Sequence, residues 1–185
     1  ADLSAVVSSA TGDIVVTADA VNQNTGGNLS TGTTGPQAGT IAVTADSGSV
    51  TMADGTSATT QTGSITYSAT GDVALGHLTA TSGNISVTAG AGSSVSGAIT
   101  DNTASETANI STTGSATLTA ETGIGSGGGT ADINTDVAVL DVTNTTSGDK
   151  LGVNGLINLI SGATRPVTGY EKRAKPVSVA ALVEI

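Results

Sequence analysis

The stretch that decides the fold is "TGSITYSATGDVAL", residues 62–75, which contains one short phrase twice. Residues 63–67 read GSITY, and eight positions later residues 71–75 read GDVAL. Each copy has a glycine, a small polar residue and then apolar residues two apart, which is the pattern of a short β-strand with one buried face. The glycine allows a sharp corner, and Asp, Asn or Ser beside it is expected to stabilise that turn.

The phrase recurs along most of the chain. The copies that begin at Gly39 and Gly63 are 24 residues apart, and Gly63 and Gly83 are 20 apart. A period of about 20–25 residues that holds two or three short strands is typical of one coil of a parallel β-solenoid. Stacked coils would place Ile41, Ile65 and Ile85 in one ladder. The further copies are GDIVV (12–16), GTIAV (39–43), GSVTM (48–52), GNISV (83–87) and GSATL (114–118).

These observations predict an all-β chain with two parts. Residues 1–149 are expected to form a right-handed parallel β-helix, and residues 150–185 a C-terminal segment outside the repeat. The chain has no Trp, Phe or Cys and two Tyr, so a thin aliphatic core fits better than one filled with aromatic side chains. An antiparallel β-sandwich built from the same short strands remains the alternative.

Charge is distributed unevenly along the chain. All five Lys and Arg lie at or after Lys150, whereas residues 1–149 hold eleven Asp and two Glu, and the formal net charge is −10. An acidic body repels phosphate, so we expect no nucleic-acid partner. No run of eighteen apolar residues is present, so we expect no membrane span. The basic residues are either incidental or matched to the acidic body of a neighbouring copy.

The C-terminal segment ends in a predicted strand, residues 177–185, in which apolar residues alternate. A stacked β-structure exposes a strand edge at each end and needs a cap. The segment is therefore expected either to cap its own molecule or to pair with a neighbour. The second interpretation defines a candidate assembly interface, which consists of Lys172, Arg173, Lys175, Val177, Val179, Ala181, Val183 and Ile185.

Residues with catalytic potential are scarce, and we expect no enzyme. His77 is the single histidine and follows Gly76, so it is expected to be a surface or turn residue. Asp132 and Asp136 could in principle act as a glycosidase pair, but sugar sites usually add aromatic platforms. Calcium at Asp-rich turns is an open alternative to a purely structural role for these carboxylates, and otherwise no cofactor is expected. The turn carboxylates are Asp13, Asp19, Asp46, Asp54 and Asp72.

Three stretches carry a resemblance to a known family. They are "TGDIVVTADA" (11–20), "GTIAVTADSGSVTMADG" (39–55) and "SGNISVTAGAGSSVSG" (82–97). Their style resembles the repeats of filamentous-haemagglutinin-type exoproteins over roughly residues 10–145. That resemblance implies a right-handed parallel β-helix on a bacterial exterior, often in an adhesin.

Together these features predict a non-enzymatic extracellular structural protein. We expect it to reach the bacterial surface after removal of an export signal, and to assemble with itself into a fibre or layer through the C-terminal strand. The first alternative is a monomeric adhesin repeat module from a larger secreted exoprotein, with host or cell-surface glycans or proteins as partners. A third interpretation is a β-helix enzyme that acts on polysaccharides.

Overall fold

The computed structural model describes residues 1–32, 39–92, 96–105, 107–125 and 132–145, together with the strand at residues 153–157. Within these ranges the chain is built from short strands and turns and contains no helix. The strands are β1 (Asp2–Leu3), β2 (Val7–Ser9), β3 (Ile14–Ala18), β4 (Val21–Gln23), β5 (Leu29–Thr31), β6 (Ile41–Ala45), β7 (Val50–Met52), β8 (Ser57–Thr60), β9 (Ile65–Ala69), β10 (Val73–Leu75), β11 (His77–Ala80), β12 (Ile85–Ala89), β13 (Ala98–Asp101), β14 (Ile110–Ala120), β15 (Gly123–Ile124), β16 (Ile133–Asn144) and β17 (Val153–Ile157).

The strands form three ladders that the chain visits in turn. The first ladder is β1-β4-β7-β10-β13-β15. The second ladder is β2-β5-β8-β11, continued by the first halves of β14 and β16 and then by β17. The third ladder is β3-β6-β9-β12, continued by the second halves of β14 and β16. From β1 to β11, therefore, each strand pairs with the strand three positions later. One passage through the three ladders is called a circuit below.

Every strand pair in the described part of the chain is parallel, from β1 with β4 through β16 with β17. The prediction of an all-β chain built from parallel strands is confirmed. The antiparallel β-sandwich alternative is wrong, because a sandwich of that kind joins neighbouring strands by hairpins and pairs them antiparallel.

The core lies between the ladders and consists of columns of aliphatic side chains. Ile41 pairs with Ile65 and Ile65 with Ile85, so the predicted isoleucine ladder is confirmed. A second column in the same ladder contains only alanine in five successive strands, which are paired at Ala18, Ala45, Ala69, Ala89 and Ala120. Equivalent positions of successive strands lie at the same depth in the core. Each column therefore consists of small or branched side chains of similar size, which pack closely.

One aromatic side chain departs from the expected aliphatic core. Tyr67 is fully buried and stands in the third ladder between Val43 and Val87. Its hydroxyl donates a hydrogen bond to Gln23 Oε1 over 2.9 Å, and Gln23 Nε2 donates to the Ser57 carbonyl over 2.9 Å. A polar chain therefore crosses the core from the third ladder to the first and second.

The first residues of the predicted C-terminal segment extend the second ladder. In β17, Val153 pairs with Ile133 and Ile157 pairs with Val137, both on β16. The predicted strand at residues 177–185 and the basic residues before it lie outside the described residues, so their placement stays a prediction.

Candidate assembly surface

Asp and Asn residues at the corners connect successive circuits. Asn28 Oδ1 accepts a hydrogen bond from the Ser57 amide over 2.9 Å, and Asn109 Oδ1 accepts one from the Asn134 amide over 2.9 Å. These bonds run to the next strand of the ladder, whereas the sequence predicted that such side chains stabilise their own turns. The difference arises because stacking brings an amide of the next strand as close as any amide of the local turn.

Asp13 shows the same connection at the start of the third ladder. Its Oδ1 accepts hydrogen bonds from the Thr40 amide over 2.7 Å and from the Thr40 hydroxyl over 2.9 Å. These two donors, the amide first, lower the pKa of the Asp13 carboxyl below its ordinary value. The Asp13 carboxylate therefore links the first two circuits through hydrogen bonds that favour its charged form.

The Asp72 and Asp19 carboxylates accept similar hydrogen bonds. Asp72 Oδ1 accepts from the Ala98 amide over 2.8 Å, and Asp19 Oδ1 accepts from the Ser47 hydroxyl over 3.4 Å. Across the described ranges, no group of three or more His, Cys, Asp and Glu side chains converges as a metal site would require. These carboxylates fit a structural role at the corners.

The outward face of the third ladder carries a continuous row of hydroxyl groups. Six side chains stand in register there: Thr17, Thr44, Ser68, Thr88, Thr119 and Thr143. The row has no charged member, whereas Asp13, Asp19, Asp46 and Asp72 lie at the corners. This row of hydroxyl groups is therefore uncharged, although the neighbouring outward position on β16 is Asp141.

A shallow groove of about 440 Å³ lies where the second and third ladders meet near Thr81, Thr113 and Ala138. Asp136 is the titratable side chain among its lining residues. Asp132 lies four residues before Asp136, a distance of about 13 Å along an extended chain. Glycosidase carboxylates lie about 5–10 Å apart, and the glycosidase interpretation of this pair stays a prediction.

His77 begins β11 and is half-buried. Its Nδ1 lies 3.1 Å from the Ala108 carbonyl oxygen, which belongs to the turn before β14. The contact joins two successive circuits of the second ladder. The sequence predicted a surface or turn residue, whereas the structure places His77 at the start of a strand and half-buried.

The first circuit presents an open edge. Strands β1, β2 and β3 pair with β4, β5 and β6 respectively, and no described strand pairs with their other sides. The exposed large hydrophobic side chains found in the described ranges all lie in this circuit: Val6 is 62%, Val7 39% and Val15 70% exposed. An unpaired strand edge with apolar side chains is a template for another strand.

The predicted interface residues, from Lys172 to Ile185, lie outside the described residues, so their arrangement stays a prediction. The sequence predicted an exposed strand edge at each end of the repeat, but it did not single out Val6, Val7 and Val15, which read like the other apolar residues of the repeat.

Comparison with protein-family models, with curated proteins and with solved structures finds no match to this chain. In the part of the chain that the structure describes, no helix is long and apolar enough to cross a membrane. The geometry of the ladders and of the open edge therefore carries the functional inference.

Proposed function

We propose that the chain is a non-enzymatic extracellular structural protein, a right-handed parallel β-solenoid whose copies assemble end to end into a bacterial surface fibre or layer. The pairing of β1–β11, in which each strand bonds to the strand three positions later, supports the solenoid. In this proposal the three ladders are the three faces of the solenoid, and each circuit is one coil.

The observation that carries the assembly proposal is the open edge of the first circuit. Val7 is exposed although its ladder partner Leu29 is fully buried. A further strand on this edge would bury Val7 and satisfy the outward-facing amides and carbonyls of β1, β2 and β3.

The C-terminal segment is the proposed donor for this contact. Its predicted interface comprises alternating apolar residues that suit strand addition and basic residues that suit an acidic neighbour. The basic residues are Lys172, Arg173 and Lys175, and residues 1–149 offer thirteen carboxylates against them and no Lys or Arg.

The extracellular bacterial location rests on the resemblance of residues 10–145 to exoprotein repeats. An absence of cysteine and a surface rich in hydroxyls, such as the row from Thr17 to Thr143, are compatible with that location.

The open edge also favours a second candidate, a repeat module within a larger exoprotein. In that case a preceding coil of the same long chain would cover β1–β3, and the module would act as a spacer or adhesin. The two candidates differ in what covers the edge.

Size measurements on the isolated chain test the proposal. Light scattering and negative-stain microscopy would compare the intact chain with a chain truncated after Arg165, and circular dichroism would check that both retain their β-structure. We expect filaments from the intact chain and monomers from the truncated one. Folded monomers from both would reject self-assembly in favour of the repeat module.

Two full-length variants test the same strand without removing any of the chain. Val179→Asp places a charge on the predicted apolar face of the 177–185 strand, and Ser178→Asp places the same charge on the opposite face. We expect Val179→Asp to abolish filaments and Ser178→Asp to preserve them. Equal effects from both substitutions would contradict a one-sided assembly strand.

A further inference from the structure

The chain contains a single Asp–Gly pair, Asp54–Gly55. The pair forms the middle of the turn between β7 and β8, which is closed by a hydrogen bond from the Thr56 amide to the Ala53 carbonyl over 3.0 Å. Gly55 has a φ of 76°, in the left-handed region that glycine adopts without strain. Asp54 and Gly55 are both exposed. The pair is therefore open to water at a corner between the first and second ladders.

We infer that Asp54 is a site of spontaneous modification, at which aspartate isomerises to isoaspartate through a cyclic imide. The Gly55 nitrogen attacks Cγ of the protonated Asp54 carboxyl, so that an N–Cγ bond forms, a Cγ–O bond breaks and the hydroxyl leaves as water with the amide proton. Water then opens the ring. Attack at Cγ restores aspartate, whereas attack at the main-chain carbonyl of Asp54 leaves the main chain running through Cβ and Cγ. One water is lost and one is gained, and nothing is oxidised or reduced.

The nucleophile of this step is available at Gly55. Its amide donates no hydrogen bond to any residue in the described part of the chain. The amides that follow Asp13, Asp46 and Asp101 each donate to a carbonyl of another circuit. These bonds run from Ile14 to Thr40 over 2.8 Å, from Ser47 to Asp19 over 3.2 Å and from Asn102 to Leu75 over 2.9 Å. Each of those nitrogens must give up a hydrogen bond before it can attack, which slows the reaction.

The surroundings of the pair also leave the reacting atoms room to approach. A Cβ placed on Gly55 would meet no atom within 4 Å. The Asp54 carboxylate has one hydrogen bond, accepted by Oδ1 from the Ala104 amide over 3.4 Å, which is long for an N–H donor. Asp13, by contrast, accepts two short hydrogen bonds from Thr40. The Asp54 side chain is therefore held less firmly than a carboxylate that links two circuits.

Isomerisation would alter this corner of the stack. It adds one carbon to the main chain between residues 54 and 55 and attaches the carboxylate directly to Cα. The Thr56 amide and hydroxyl both donate to the Ala53 carbonyl across this segment, over 3.0 and 2.7 Å. The Thr56 carbonyl accepts the His77 amide of the next circuit over 3.0 Å. The modification therefore acts where two successive circuits are linked, whether or not the protein assembles.

Ageing of the full-length protein tests this inference. Samples would be stored at about pH 5 and about pH 8, and their peptides would be mapped by chromatography and electron-transfer fragmentation, which distinguishes isoaspartate from aspartate at unchanged mass. We expect isoaspartate to accumulate at Asp54. We also expect faster accumulation at about pH 5, because the hydroxyl leaves from the protonated carboxyl and aspartate has an ordinary pKa of about 4. An absence of isoaspartate at Asp54 would overturn the inference.

The variant Ser47→Gly supplies a matched control, because it creates a second Asp–Gly pair whose amide position donates a hydrogen bond to Asp19. In the folded variant, checked by circular dichroism, we expect about tenfold less isoaspartate at Asp46 than at Asp54, which corresponds to about 1.4 kcal/mol in the barrier. In urea we expect equal yields at the two sites. Equal yields in the folded variant would overturn the selection of Asp54 by the structure. A difference that persists in urea would assign the selection to local sequence and would also overturn it.

Discussion

Buried threonine hydroxyls donate hydrogen bonds to glycine carbonyls at the corners. The Thr60 hydroxyl donates to the Gly63 carbonyl over 2.6 Å, and the Thr112 hydroxyl donates to the Gly83 carbonyl over 2.5 Å. Both threonines are buried. A buried hydroxyl and a buried carbonyl that pair with each other avoid the cost of leaving either unsatisfied.

The largest side chain of the core depends on the same principle. Burial of Tyr67 removes its hydroxyl from water, and Gln23 supplies the acceptor in its place. Gln23 is itself 1% exposed and donates to Ser57. Tyr67, Gln23 and the Ser57 carbonyl stabilise the core only if each of them keeps its hydrogen-bond partner.

We predict that Tyr67→Phe lowers the free energy of unfolding by about 1–2 kcal/mol, because Gln23 Oε1 then lacks a donor in a buried site. Urea denaturation followed by circular dichroism measures the change. The double variant Tyr67→Phe with Gln23→Leu is expected to recover part of the loss, since both polar partners are then removed. A neutral Tyr67→Phe would show that Gln23 finds another donor.

Burial raises the pKa of the Tyr67 phenol far above its ordinary value near 10. The folded state therefore keeps the proton while the unfolded state loses it above about pH 10, so alkaline pH favours unfolding. Relative to Tyr67→Phe, the natural protein should lose about 1.4 kcal/mol of stability per pH unit above pH 10. Urea titrations between pH 8 and 11 measure this, and parallel curves for the two proteins would contradict it.

At the scale of the element, close approach of backbones at the corners decides which residue is tolerated. Gly83 and Gly63 stack in successive circuits, and a Cβ on Gly83 would overlap the Gly63 carbonyl oxygen. By contrast, a Cβ on Gly12 would meet only the Ser9 side chain, at 3.2 Å. Glycine before the strand is therefore required by the neighbouring circuit at Gly83 and is optional at Gly12.

Gly83→Ala is predicted to lower the free energy of unfolding by about 3 kcal/mol, the upper part of the range for overpacked interiors, because rigid backbone must move. Gly12→Ala, whose Cβ would meet only the Ser9 hydroxyl, should cost less than about 1 kcal/mol. Chemical denaturation of the two single variants gives the comparison. Equal losses would mean that the ladders separate more easily than their geometry implies.

At the scale of the whole molecule, stability is expected to vary along the stack. Each interior strand has a paired strand on both sides, whereas β1, β2 and β3 have one on a single side in the described structure. In a chain where each circuit contacts mainly its neighbours, an end circuit opens more readily than a central one.

Hydrogen exchange should report this gradient. In the monomer we expect residues 65–69 and 85–89 to exchange most slowly and residues 7–9 to exchange fastest among the strands. Assembly should slow exchange in residues 14–18, since their free edge becomes paired. Mass spectrometry of peptic peptides from monomer and filament provides both readings. Uniform protection along the monomer would contradict a stack that opens from its end.

Much of the fold could be predicted from the sequence, because its signals are local. Apolar residues two apart define a strand wherever they occur, and a glycine before them permits a corner. The ladder of Ile41, Ile65 and Ile85 follows from that repeat, since residues at equivalent positions of a regular repeat stack. The thin aliphatic core follows from the near absence of aromatic residues.

Tertiary structure alone decided the features that depend on which strand lies next to which. Asn28 and Asn109 reach across to the next circuit, and Tyr67 meets Gln23 over a separation of 44 residues. The exposure of Val7, whose ladder partner Leu29 is buried, likewise follows from its place in the first circuit. By itself the sequence determined short strands, glycine corners and an acidic body, which are properties of neighbouring residues. The partners of the buried polar groups and the open edge were decided by stacking, because contacts between distant residues exist only once the strands have paired.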